Sequence, residues 1–207
     1  MNAKKKHQTG KQEKILKVAK KLFAQKGFDG SRVDDIAQKA GVNKALIYYY
    51  FRSKEEILEE IMKQFLEETL QRKQKMMEWP EQMDIEELIQ SSTERIFDLY
   101  KGNEDVLRII ITEELKSGKK HWPLFQFLDM GLSDGLKIAQ DVGIPIKKKD
   151  KIVRAAFYFG FIPIAFFTLI KDEWARYFKT DRDKDQKEFI EILKKTYVRF
   201  LIEELKE

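Results

Sequence analysis

The sequence contains no cysteine, which excludes disulfide frameworks, thiol nucleophiles, iron–sulfur clusters and thiolate zinc sites together. Histidine is nearly as scarce, with only His7 and His121 in 207 residues. His121 stands beside Trp122 and Pro123, a setting that suits a capping or surface group better than a catalyst. There is no P-loop, dinucleotide-binding glycine pattern, nucleophile elbow or paired-histidine zinc motif, so neither a metal nor a cofactor is expected, and no enzyme. The acidic stretch Asp181, Asp183, Asp185 imitates the opening of a calcium loop but has Gln186 where the turn needs glycine and Ile192 where it needs glutamate. Only four prolines and ten glycines punctuate the chain, and alternating apolar and polar residues are missing. Strands are therefore not expected, and the fold class is all-α. The N-terminal stretch MNAKKKHQTGKQEK lacks the apolar run of a secretory signal. The sixteen uncharged residues 155–170 fall short of the ~20 a membrane span needs, and they include Gly160 and Pro163. A helix apolar all round is buried in a core or against a partner subunit. A cytoplasmic protein with no membrane partner follows.

What is present is an uneven distribution of charge. Residues 1–54 carry 14 Lys/Arg against 4 Asp/Glu, a net of +10, whereas the remaining 153 residues have a net of −5. A basic first quarter on a mildly acidic body suggests a polyanion-binding module joined to a second part. The composition, 43% apolar and 12% aromatic, is ample for a packed core.

Along the chain, Ile15, Ala19, Leu22 and Phe23 fall on one helical face that ends at Gly27. Residues 31–34 read as a capping box led by Ser31, opening a short helix marked by Val33, Ile36, Ala37 and Ala40. A turn at 41–43 precedes a third short helix over 44–51, and a second capping box at 53–56 opens a long helix to about residue 77. About five further helical runs follow, over 84–100, 104–116, 123–142, 148–179 and 183–207, giving about nine in all. Two domains are expected: 1–54, with the connecting helix 54–77 starting at its end, and 55–207.

Two short helices joined by a glycine turn inside a basic segment match a helix-turn-helix, whose second helix enters the DNA major groove. With Ile47 set as the inward reference, Phe51 lies about 40° away, while Ala45 at about 160° and Tyr49 at about 200° point outward. Tyr48 and Leu46 flank them. Ala45 allows close approach to base edges, and Tyr49 can bond a phosphate and lay its ring on a sugar or thymine methyl. Lys44, in the first turn, carries a charge suited to phosphate. A plain aromatic core patch is the alternative for residues 48–51, but four consecutive aromatics cannot all face one way on a helix.

Three motifs sharpen this picture: A-x-x-L-F-x-x-x-G-F at 19–28, D-I-A-x-x-A-G-V at 35–42 and K-x-x-I-Y-Y-Y-F-x-S-K-E-E at 44–56. On these, residues 15–61 resemble the DNA-binding domain of TetR-family transcriptional regulators. The resemblance implies operator DNA contacts from Arg32, Val33, Lys44, Ala45, Tyr48 and Tyr49, with Lys54 on phosphate. Leu46 departs from the small polar residue often found there and favours a thymine methyl, and Tyr50 stands where histidine is common. The rest of the chain has no comparable motif; the resemblance implies a helical ligand-binding and dimerisation domain. The protein is thus expected to be a homodimeric repressor released from double-stranded operator DNA by a small apolar or amphipathic inducer. The connecting helix would set the spacing of the two recognition helices. The alternative is a helical interaction or membrane-surface protein with a basic N-terminal segment, but glycines and capping boxes suit a compact domain better than a continuous lipid-binding face.

For the ligand, the aromatic excess nominates Trp122, Phe125, Phe159, Phe166 and Trp174, and Gly160 and Pro163 invite a kink that leaves a cavity. Arg108 and Glu113 are candidates either for a polar ligand group or for internal pairing. The apolar stripe Phe189, Ile192, Leu193, Tyr197 and Phe200, with Thr196, is the expected dimer face, partnered by the run 155–170.

Overall fold

The computed structural model of the chain describes residues 3–76, 87, 97, 100, 102–116, 124, 125, 129, 132, 133, 136, 137, 140 and 146–206. Among them all regular structure is helical. The predicted runs 84–100 and 123–142 lie mostly outside the described residues. The chain divides into two compact units, Met1–Gln71 with Asp105–Leu124, and Arg72–Glu104 with Phe125–Glu207.

The first unit contains α1 (Ala3–Gly30), α2 (Val33–Ala40), α3 (Lys44–Tyr50), most of α4 (Lys54–Met76) and α5 (Glu104–Glu114). Its core is built on large apolar side chains: Ile15, Leu22, Phe23, Ile36, Ile47, Ile57, Leu58, Leu107, Ile109 and Ile110 are all fully buried. At roughly 1.5–3 kcal/mol for each large apolar side chain buried, this cluster dominates the stability of the unit. Gly27 interrupts α1 with φ 73° and ψ 163°, a conformation that side-chain-bearing residues rarely adopt, so the predicted stop is a kink followed by one more turn. That kink also corrects the expected capping box. Ser31 does not cap α2: its hydroxyl turns back and donates to the Gly27 carbonyl at 2.8 Å, and Arg32 stands at the N-cap without a side-chain bond. Gly41 ends α2 in the left-handed conformation, φ 63°. The Asn43 side chain caps α3 by accepting from Leu46 N–H at 2.8 Å. The cap at Ser53 forms as expected, with Glu56 N–H donating to its hydroxyl at 3.2 Å, although the Glu56 carboxylate reaches back to Arg52 N–H.

The second unit is built on α6 (Lys149–Phe178) and α7 (182–206). By length and composition alone α6 is apolar enough to cross a membrane. Its buried positions, among them Ile152, Gly160, Ile164, Ala165 and Thr168, pack inside the unit. The helix widens into a π turn over Ala156–Phe161, just before Pro163. Proline has no N–H to give the preceding turn and its ring crowds the carbonyl four residues back, so the ladder shifts by one and Ile162 N–H bonds Phe157 O. A second π turn, Lys194–Val198, interrupts α7. Gly160 meets it so closely that a Cβ there would lie 2.9 Å from the Tyr197 ring. Burial pushes the Tyr197 and Tyr100 phenols well above their ordinary pKa. Phe97, Phe167 and Phe189 form a ring cluster, with Phe167 and Phe189 stacked at 4.4 Å.

Candidate nucleic-acid interface

The two faces of α3 separate cleanly. Ile47 and Phe51 are 1% and 3% exposed, whereas Tyr49 is 69% and Tyr48 48% exposed. Ala45 and Lys44 are exposed as well, and Leu46 and Tyr50 are half-buried. The aromatic run is therefore not a plain core patch: two rings face solvent, and Tyr50 supports Tyr49 edge-on at 5.1 Å. Of the other nominated DNA contacts, Arg32 is exposed and Val33 half-buried at the start of α2. The basic side chains are not all free. Lys44 Nζ lies 2.9 Å and 3.0 Å from the two oxygens of Asp34, which raises the lysine above its ordinary pKa through that bond and the adjacent charge. Lys26 pairs with Asp35 at 3.2 Å.

Lys54 is placed differently from the expectation that puts it on phosphate. Its ammonium donates to the Phe28 carbonyl at 2.8 Å and the Ser31 carbonyl at 3.1 Å, and sits 4.2 Å from the centre of the Phe28 ring. A cation at the carbonyl end of α1 is stabilised by the helix dipole as well as by these bonds. Glu113 holds the same corner from the other side. It is 2% exposed, accepts from Phe28 N–H at 3.3 Å and pairs with Lys116, which also bonds Asp29 at 3.2 Å. So of the two alternatives for Glu113 the structure has internal pairing, while Arg108 is exposed on the same helix. The link from α1 into α2 is thus fixed by one cation from α4 and one anion from α5.

The other ligand candidates are not gathered into one enclosed site. Trp122 lies outside the described residues. Phe125 is exposed, with its ring 6.1 Å from Phe157, and Phe159, Phe166 and Trp174 are exposed along α6. Phe159 instead joins all five dimer candidates, Phe189, Ile192, Leu193, Tyr197 and Phe200, around a groove of about 600 Å³ between α6 and α7. Sequence reasoning missed Asp34, Asp29 and Lys116, whose partners are set by the fold and leave no periodic trace.

Helical throughout its described residues, the chain has in its first unit the architecture of a helix-turn-helix module, with a buried inner face on the second helix and an exposed, tyrosine-lined outer face. Residues 15–61 match the family of bacterial regulatory proteins described as the tetR family. The chain is 31% identical over 106 residues to the HTH-type transcriptional repressor NicS of Pseudomonas putida, covering 51% of this chain and 49% of that one. It is 45% identical over 51 residues to IcaR of Staphylococcus aureus, the negative transcriptional regulator of the biofilm operon icaADBC, covering 25% and 27%. The chain therefore spans about half the length of the first relative and about a quarter of the second. A crystal structure of a transcriptional regulator from Aquifex aeolicus shares the fold, with TM-score 0.67 and 20% identity over 92% of this chain and 97% of that one. Over residues 15–61, then, the chain is similar to the tetR family of bacterial regulatory proteins.

Proposed function

We propose that the protein is a dimeric transcriptional repressor of the cytoplasm, which reads a two-fold operator through α3 and leaves it when a small apolar or amphipathic inducer binds its C-terminal part. The observation that carries the DNA-binding reading is the outer face of α3, where Ala45, Tyr48 and Tyr49 stand exposed opposite the buried Ile47. Tyrosine hydroxyls and rings suit phosphate, sugar and thymine methyl, and the small Ala45 admits the base edges. The net charge of +10 over residues 1–54 supplies the salt-dependent part of the affinity.

Dimerisation is supported by a second observation. Phe159, Ile162, Phe166 and Ile192 stand 41–63% exposed on α6 and α7, a contiguous apolar strip that a protein in water covers. A single recognition helix reaches too few bases to select one genomic site, so a second copy on this strip meets both needs. The inducer would act only through its different affinity for the DNA-competent and DNA-incompetent arrangements. NicS and IcaR, by their names a repressor and a negative regulator, support repression over activation.

The test starts with duplexes selected by the purified protein from a random pool, followed by binding titrations on the winner and a scrambled control. A palindromic winner, with half-sites about one helical turn apart, is expected. Sedimentation at micromolar concentration should give twice the 24.6 kDa chain mass. A lone 24.6 kDa species, or equal affinity for selected and scrambled duplexes, would overturn the reading.

A further inference from the structure

We propose that Asp34 is a specificity-determining residue that holds Lys44 for reading a base edge and keeps it off the phosphate backbone. The inference rests on the DNA-binding reading above. Lys44 is the first residue of the recognition helix, and the leading residues of such helices are those that reach base edges. Both Asp34 oxygens lie within 3.0 Å of its ammonium, one at 2.9 Å, although both side chains stand in solvent. The carboxylate has two effects on its partner. It cancels the lysine's charge at close range, which makes Lys44 a poor phosphate contact, since phosphate binding is charge neutralisation with counterion release. It also fixes the end of a flexible four-carbon chain, which removes the entropic cost of aiming that end at a base. An ammonium has three N–H donors, so with Asp34 served at least one remains for an acceptor. The base edge that offers two neighbouring acceptors in the major groove is guanine, through O6 and N7. Asp35, the next residue, has no such part: it turns to Lys26 on α1.

The experiment measures binding of Asp34→Asn, Lys44→Gln, the double variant and Asp35→Asn to two fluorescent duplexes across a salt series. One duplex is that selected by the wild-type protein, with single base-pair changes; the other is a random sequence of equal length. Asp34→Asn should bind the random duplex about two- to fivefold more tightly, the range an exposed ion pair spans, with a salt slope steeper by about one. On the selected duplex it should flatten the preference at one G·C pair by about five- to tenfold. Lys44→Gln should lose the same preference yet weaken random binding, and the double variant should lose nothing more at that pair. Asp35→Asn should keep the preference and thereby account for the change in net charge. If Asp34→Asn and Lys44→Gln weaken both duplexes alike, the pair merely braces α2 against α3 and the proposal falls. If the preference survives in Lys44→Gln but not in Asp34→Asn, Asp34 reads the base itself and the proposal falls as well. Failure of the wild-type protein to bind either duplex would overturn the DNA-binding reading instead.

Discussion

Replacing Lys54 with methionine separates two roles that one positive charge can play at the start of α4. Methionine keeps the aliphatic stem and the packing against Phe28 and removes only the ammonium. In the structure that ammonium makes two hydrogen bonds to main-chain carbonyls, at 2.8 Å and 3.1 Å, and lies 4.2 Å from the Phe28 ring centre. Charge-assisted bonds contribute about 1.5–3 kcal/mol each when well buried. Lys54 is half-buried, so water recovers part of this, and a net loss of about 2–3 kcal/mol is expected. For a chain of this size that corresponds to a drop of roughly 4–12 °C in the melting temperature. The salt dependence of duplex binding should hardly change, because an ammonium already bonded to the α1 end releases no phosphate counterion. A phosphate contact would show the opposite pattern, with a slope shallower by about 0.9 and stability nearly intact. Urea unfolding together with a salt titration on one duplex decides the matter. An unchanged unfolding midpoint would refute the structural role.

Three further outcomes are expected. Tyr49→Ala should cost about 1–3 kcal/mol on the selected duplex with little effect on melting, since the ring is 69% exposed; titration and thermal denaturation check both halves. Gly160→Ala should destabilise the chain by about 1–3 kcal/mol, because its new methyl would lie 2.9 Å from the Tyr197 ring, and Tyr197→Ala should recover part of that loss in denaturant unfolding. Lys151, by its hydrogen bond, and Lys148, at 3.5 Å, hold the Glu204 carboxyl below its ordinary pKa. The stability this gives is present above about pH 4.3 and fades as pH falls through the lowered value, so Glu204→Gln should make unfolding less pH-dependent below about pH 4.

The two faces of α3 were legible because their information is local. A period of 3.6 residues places Ile47 inward and Tyr49 outward whatever lies around them, and the burial of the two side chains follows it. The caps show where local reading stops. Ser53 bonds as its sequence position suggests and Asn43, read only as part of a turn, also caps its helix, but Ser31 is preceded by Gly27 at positive φ, which turns the chain so that the nearer acceptor is the Gly27 carbonyl. The two π turns show the same division. Pro163 announces the one in α6, whereas nothing in the residues 194–198 announces the one in α7. It comes with the close approach of Gly160 to Tyr197, which only the packed pair of helices can specify.

The charged residues around Phe28 were the least legible, and the reason is physical. Phe28 donates its N–H to Glu113, 85 residues away, and gives its carbonyl to Lys54, 26 residues away. A carboxylate and an ammonium in sequence look the same whether they will face solvent, DNA or a main-chain amide, since each role is chosen by what the fold brings within 3 Å. In the first unit the fold brings a main-chain corner. An N–H and a carbonyl of one residue near the buried end of a helix need opposite charges or dipoles as partners, and α4 and α5 supply one of each. The direction in which α2 leaves α1, and with it the presentation of Arg32 and Val33, is thus set by side chains outside the helix-turn-helix itself. The proposed recognition surface is written in residues 32–51, but its orientation depends on Lys54 and Glu113.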